Sequence, residues 1–579
     1  MSIHRFKRRF KQEQGSALVL VMFIVLLLTI LGISVLSAAV GGAQRTETRK
    51  NDVQSLHLAE KTLDEAVAYI TSSLNKKVSS SVDLSQDELD QAIKLFLNTL
   101  TTDLTASTDL NHASGRIVDV KTSTIGSLDS GQSVSYELTI KSEAEVNGVT
   151  RNLTQKVIID TFPDFLKYTL GSEKNLTING SPFITGNIYA GDTLTVNDKV
   201  PYRFKGNHTM ISKSFELKGE AHVQSLDKLI YLENGLDELK ASEITDTTPM
   251  TGKIDQSKVK IRSHRKFVEV NVEESFIDKV AEALGTTSAN AGTYRSAIRS
   301  EIAKGTLAEY LRTSGLFDYM NPPIKPVLAG DTPEQLATYN QQLIDYQAQV
   351  TRLTAPQKSV VVKGNLALDG TDLPGIIYSE SVKNSTSLPR KWFVVDGDLI
   401  IDNYGQANPI QVRANILVTG KVEIRGNVQF DSTLFVLKKP ATINGERENT
   451  TLVEDAEITG LNGKELVLMS QGPILINRLA AFSNDKPAPL DAFFYTDSDA
   501  ELYGVGSIFS LSGGFFAKGN LTINAVRGTA TAGVDDIVIV GSNLIRFQAA
   551  YNDQIFKDQN AGLPRVNTVN IHIEEMQLE

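Results

Sequence analysis

The stretch Ser16–Val40, SALVLVMFIVLLLTILGISVLSAAV, constrains this chain more than any other, because it runs for 25 residues without a charge. A helix of that length, at ~1.5 Å per residue, reaches ~37 Å, enough to cross a hydrocarbon layer of ~30 Å with some tilt. The sequence therefore predicts a membrane span over residues 16–40, with Leu20, Leu28, Gly32 and Val40 within it. Ahead of it Arg5, Lys7, Arg8, Arg9 and Lys11 face one acid, Glu13. The positive-inside rule then keeps residues 1–15 cytoplasmic and exports the rest. The run is too long for the ~7–15-residue apolar core of a cleaved secretory signal.

Beyond the span the chain is long enough for several cores. It has 579 residues, 41% hydrophobic and 22% charged. The net charge is −10, and the leader's five basic residues against one acid leave −14 on the remainder of the chain. Such a surface does not seek nucleic acid or anionic lipid by electrostatics. Cysteine is absent, which excludes disulfides, iron–sulfur clusters, thiolate zinc sites and a Cys nucleophile.

The helix is expected to continue after a bend at Gly41–Gly42. Val53, Leu56, Leu63 and Ile70 recur at near-heptad spacing, with Ala59, Ala66 and Val67 filling the stripe, so an amphipathic helix runs to about residue 75. Ser85–Gln86–Asp87–Glu88 reads as a capping box opening a second helix. Arg116–Ile125, Ser133–Val146 and Val149–Asp160 alternate apolar and polar residues, and Asn147–Gly148 is a type I′ hairpin signal. Residues 41–165 thus read as a helix packed on an antiparallel sheet.

The junction Gln14–Gly15–Ser16 adds information that hydropathy lacks. A short basic leader ending in Gly, an apolar helix starting at the next residue and a polar helical continuation resemble the amino terminus of type IV pilins and pseudopilins. The text QGSALVLVMFIVLLLTILGISVLSAA followed by Leu58–Ala59–Glu60–Lys61–Thr62–Leu63 is similar to the PilX-type amino-terminal domain of minor pilins. The resemblance covers residues 10–70. It implies a prepilin peptidase cutting between Gly15 and Ser16, methylation of the new terminus, other pilin-like subunits and the membrane as partners, and Leu56, Ala59, Glu60 and Leu63 on the assembly helix. Most major pilins carry Glu five residues after the Gly, where this chain has Leu20. That departure implies a minor, priming or tip subunit.

From Leu170 the texture changes. A Gly two residues ahead of an apolar–x–apolar triplet recurs at Gly186, Gly364, Gly397, Gly420, Gly426, Gly472 and Gly519. Separations of 23 residues (397 to 420), 46 (426 to 472) and 47 (472 to 519) suggest a coil of about 23. Left-handed corners at Gly and short strands burying alternate side chains then give a parallel β-helix. The sequence places its coils at 170–224 and 356–545. A helical insertion at 225–355 (helices at 229–239, 273–284, 294–311 and 333–353) leaves and rejoins the same coil, and a tail at 546–579 caps the open end. The fold class is α+β: a transmembrane, pilin-like helix with a small antiparallel sheet, then a mainly-β solenoid carrying a helical insertion.

Nothing nominates a catalytic residue. The seven histidines form no H-x-x-x-H pair, and neither a G-x-S-x-G elbow nor a Walker loop is present. Asp396–Gly397–Asp398 and Asp497–Ser498–Asp499–Ala500–Glu501 have oxygen ligands suited to Ca²⁺, but Asp in such runs ordinarily serves turns. Phe493, Phe494, Tyr495 and Tyr503 suit a sugar groove or, more simply, core stacking. The sequence thus gives a non-enzymatic minor pilin-like subunit with no cofactor or metal. The alternatives are a membrane-anchored adhesin with a cell-surface or polysaccharide ligand, and a β-helix polysaccharide lyase or hydrolase.

Overall fold

A computed structural model describes residues 6–80, 95–97, 108–110, 113–125, 135–160, 164–213, 215–235, 237–244, 254–261, 270–286, 291–385, 388–438, 442–443, 446–552, 554, 559, 562–564, 570–573 and 576–578. Helix α1 (Phe6–Ser80) is one unbroken 75-residue helix. The helix continues through Gly41 and Gly42 without a break. Its buried positions among the described side chains are Asn51, Ser55, Ala59, Leu63, Ala66, Val67, Ile70 and Leu74, a 3.6-residue stripe set slightly apart from the predicted one. Val53 points out, 52% exposed. The Ser85–Glu88 capping box lies outside the described residues. Of the second helix, residues 95–97 are described, and Phe96 and Leu97 are buried in the same core.

The stripe packs on an antiparallel sheet of Ala113–Ile125, Ser135–Val146 and Val149–Asp160. The turn between the last two has φ of 50° at Asn147 and 80° at Gly148, as a type I′ hairpin requires. Gly115 lets the sheet approach closely: a Cβ there would sit 2.5 Å from Thr62 Oγ1 and 3.1 Å from Leu58 Cγ. The outer edge of Val149–Asp160 is closed by the end of the chain, Asn570–Ile573 and Gln577–Leu578, both antiparallel. Among the described residues, these tail strands cover the proximal sheet and not the open end of the stack. Ile571 and Met576 pack against the proximal core instead, where their apolar surface finds a partner and a free sheet edge is covered.

Distal to this sheet, three ladders of parallel strands wind around one interior. Leu399 pairs with Val422, 23 residues on, and Thr451 with Ile474, again 23. Leu366, however, pairs with Leu399 across 33 residues, and Ile416 with Leu434 across 18. The coil length is set by corner loops of different size, so 23 is one value among several. Gly397, Gly420 and Gly519 sit at stacked corners with ordinary φ. Their lack of a side chain answers a close approach: a Cβ on Gly397 would lie 2.5 Å from the Gly364 carbonyl carbon, and one on Gly420 2.5 Å from the Gly397 carbonyl oxygen.

The order of coils in space differs from their order in sequence. Phe515–Ala517 pairs with Leu170–Ser172, Leu521–Ala525 with Leu176–Gly180, and Gln548–Ala550 with Phe183–Thr185. The last coil in the chain thus lies on the first. The stack continues to Val259–Ile261 beside Ala221–Val223, while its other end is Phe317–Met320 beside Ser359–Val362. The segment between, expected to rejoin the coil it left, instead carries the chain from one end to the other.

That crossover holds α2 (Val272–Ala283), α3 (Ala291–Lys304) and α4 (Leu307–Thr313). The expected single helix over 294–311 is two, divided at Gly305 (φ 70°). Helix α5 (Pro333–Thr354) comes next, with Thr332 Oγ1 accepting from the Gln335 N–H. The expected helix at 229–239 is an antiparallel hairpin, Leu229–Glu233 with Asp237–Lys240, turned by Asn234–Gly235. Helices α2–α4 lie on the outer side of one ladder, over Val361, Val394, Leu417, Phe435 and Val467. Strands of that ladder are buried on both faces, which is why they read VVV, FVV, ILV and LFV without alternation. The other two ladders alternate, as in Leu399–Asn403 and Ala500–Gly504.

Candidate functional site

Helix α1 is divided between two environments. Among the described residues it is the one helix long and apolar enough to cross a membrane. Leu20, Leu28 and Val40 are 62%, 64% and 51% exposed, Gly32 has nothing within 4 Å, and Gly15 and Ser16 stand on the same helical backbone. Two hydroxyls of this part donate inside the helix, Thr29 Oγ1 to the Val25 carbonyl (2.7 Å) and Ser34 Oγ to that of Ile30 (2.8 Å). Both are therefore satisfied within the helix, as they would have to be in lipid.

The second half is held by the sheet. Ala59 and Leu63 are fully buried, and Leu56 is half-buried at the rim. Glu60 turns away to the surface, where it meets His57 Nδ1 at 2.9 Å, an exposed i,i+3 pair of little energetic weight. Polar residues that periodicity does not single out fix the docking. Ser142 Oγ donates to the Ala59 carbonyl (3.1 Å), Asn147 Nδ2 to Asn51 Oδ1 (3.1 Å), and Arg151 pairs with Asp52.

In the stack the acidic runs hold corners. Asp396 Oδ2 accepts from the Ala308 N–H (2.9 Å) and its Oδ1 from Thr419 Oγ1 (3.0 Å), while Asp398 Oδ1 accepts from the Lys421 N–H (2.8 Å). Asp497 Oδ2 accepts from the Val272 N–H (3.0 Å), tying the start of α2 to the ladder, and Asp499 Oδ1 accepts from the Asn520 N–H (2.8 Å). Phe494 fills the interior, and Phe493 and Tyr495 lie under the outer layer. Tyr503 packs beside the hairpin Lys199–Ile211.

Two polar constellations are invisible in the sequence because their members are far apart in the chain. Tyr168 Oη meets His222 Nδ1 at 3.0 Å, and His222 Nε2 meets Glu220 Oε2 at 3.0 Å. Tyr168 and His222 are 2% and 5% exposed, and together they tie the linker after the sheet to the stack. The His222 hydrogen bond holds the Glu220 carboxyl below its ordinary value. The fully buried Arg546 guanidinium donates to the carbonyls of Ser483, Gly506, Ser507 and Gly528 and to Asn484 Oδ1. Desolvation lowers its pKa to about 10.

The outer face of one alternating ladder carries a shallow cavity of about 310 Å³ lined by Lys421, Glu423, Thr450, Leu452, Asn477 and Arg478, among others. Ion pairs Lys421–Glu448 and Arg478–Glu454 border it.

No protein-family model matches the chain, and no curated protein does. Among solved structures the chain is similar to the competence-associated pilin ComZ from Thermus thermophilus, at 13% identity, over 91% of this chain and 98% of that one, with a TM-score of 0.24. A TM-score of that size does not define a common fold.

Proposed function

We propose that the chain is a non-enzymatic, pilin-like minor subunit that is inserted in the membrane, released from its leader and assembled into or at the tip of a surface filament, where it displays a β-solenoid. The observation that carries this reading is the division of α1: an apolar first half whose described side chains are exposed, continuous with a second half seated in an antiparallel sheet. Such a helix can exchange lipid for the helices of neighbouring subunits without disturbing the folded part. The exchange requires removal of residues 1–15, since drawing five cationic side chains through hydrocarbon costs at least ~2.5 kcal/mol each. A prepilin peptidase cut between Gly15 and Ser16 and methylation of Ser16 supply that step. Leu20 in place of an acid leaves no charge in the span to pair with a neighbour's terminus, which suits a priming or tip position.

A second reading, a permanently anchored surface-binding protein, is favoured by the polar cavity at Lys421–Arg478, whose mixed charges and amides suit a polysaccharide. Gly15→Glu separates the two. Under the first reading it reproduces the filament or secretion defect of a gene deletion, because the uncut leader traps the helix. Normal surface function in that variant would reject filament assembly and promote the second.

A further inference from the structure

The final stretch of chain joins the two parts of the molecule. After the last coil strand, Phe547–Tyr551, it passes Gln559 and Leu563 on the outside of the stack before Asn570–Ile573 closes the proximal sheet. Gln559, 1% exposed, enters a closed polar site with Lys383, the last residue of helix α6 (Glu380–Lys383), and Asp431 on Val422–Val436. The Lys383 and Asp431 side chains are each 2% exposed. Lys383 Nζ lies 2.9 Å from Gln559 Oε1 and donates to Asp431 Oδ1. Gln559 Nε2 donates to the same Asp431 Oδ1 at 3.2 Å and to the Glu465 carbonyl at 2.6 Å. Arg413 Nε stands 3.5 Å from the other oxygen, Asp431 Oδ2. One carboxylate oxygen therefore touches both an amine and the nitrogen of the amide that the amine faces.

We propose that Lys383 and Gln559 form an intramolecular isopeptide bond, with Asp431 carrying the protons. Asp431 takes a proton from the Lys383 ammonium, and the neutral amine attacks Cδ of Gln559. The Nζ–Cδ bond forms and the Cδ–Nε2 bond breaks. The proton taken first and the one Nζ sheds on acylation pass through Asp431 to Nε2, which departs as ammonium and leaves Asp431 a carboxylate again. No oxidant or external co-reactant enters. Burial pushes the Lys383 amine down toward its neutral, nucleophilic form, and exclusion of water protects the acyl carbon from hydrolysis. In a chain without cysteine, this bond does what a disulfide would do elsewhere. It fixes the tail covalently to the coils and so anchors, close to the stack, the end of the chain whose Asn570–Ile573 pairs with the proximal sheet.

The test is the mass of the full chain purified in detergent, measured against the sequence from its observed amino terminus. The bond predicts a deficit of one ammonia, ~17 Da, with a branched peptide joining Lys383 to Gln559 in the digest, and no deficit in Lys383→Arg or Asp431→Ala. An unmodified mass in the wild-type protein overturns the proposal. So does a deficit of one water, ~18 Da, mapped to a Lys383–Asp431 amide. The wild-type digest decides the matter even if either variant fails to fold.

Discussion

Replacing Gly397 by Ala tests whether the corners of the coils are in contact. Gly397 has an ordinary φ, so the new methyl group brings no backbone strain of its own. It would, however, lie 2.5 Å from the Gly364 carbonyl carbon, 2.6 Å from its oxygen and 2.8 Å from the Asn365 nitrogen. Comfortable contacts are ~3.5–4.0 Å, so adjacent coils must part by about 1 Å at this corner. All three neighbours are backbone atoms held in the stack, and none can rotate aside. Overpacking of that kind costs ~1–3 kcal/mol. Gly292→Ala in α3 is the contrast: nothing lies within 4 Å, and Ala favours a helix over Gly by up to ~1 kcal/mol. The chain contains one tryptophan, Trp392, fully buried just before the Gly397 corner, so its fluorescence in a urea titration reports this region. Gly397→Ala should lower the midpoint, and Gly292→Ala should leave it unchanged or raise it. A Gly397→Ala protein within ~0.5 kcal/mol of wild type would refute the stacked-corner reasoning.

Arg546→Met should destabilise the region around residues 483–546 by ~3–5 kcal/mol, because four carbonyls and one side-chain amide lose buried donors at once; protease cleavage within 526–546 at concentrations the wild type resists would register it. Glu220 has a folded pKa below its ordinary 4.5, so its contribution is present above that pH and is lost as pH falls below it; acid titration should therefore destabilise wild type more steeply than Glu220→Gln below pH 4.5. A fragment of residues 164–564 should remain folded when expressed alone, since Phe165 and Leu166 seal the outer face, while one of 169–579 should expose Phe493 and strand the apolar Ile571, a difference visible as dye binding.

The features legible in the sequence are those carried by neighbouring residues. The uncharged run, the Asn147–Gly148 turn and the Gly-x-strand starts each express a local requirement, and α2 and α5 declare themselves by period and cap. Asn234–Gly235 is the same turn signal as Asn147–Gly148, but the apolar residues of Leu229–Leu239 have a spacing that also fits a helix and mask it. The unalternating strands VVV, FVV and LFV hold the information that one ladder is covered on both faces, and hence that a layer must cross it. What no local pattern encodes is which strand lies on which. Phe515 on Leu170 and Ile571 on Ile159 are pairings over hundreds of residues, fixed only when the whole stack closes. The Lys383–Asp431–Gln559 and Tyr168–His222–Glu220 sites depend on those pairings and are illegible for the same reason.

The division of α1 into an exposed apolar half and a docked half serves the proposed function only if the leader is removed so that the helix can leave the membrane. Amino-terminal sequencing of the protein isolated from a host with an active prepilin peptidase measures this directly. Removal of the leader requires that the mature chain begin at Ser16. A chain that still begins at Met1 or Ser2, with Arg5 to Lys11 attached, would contradict it.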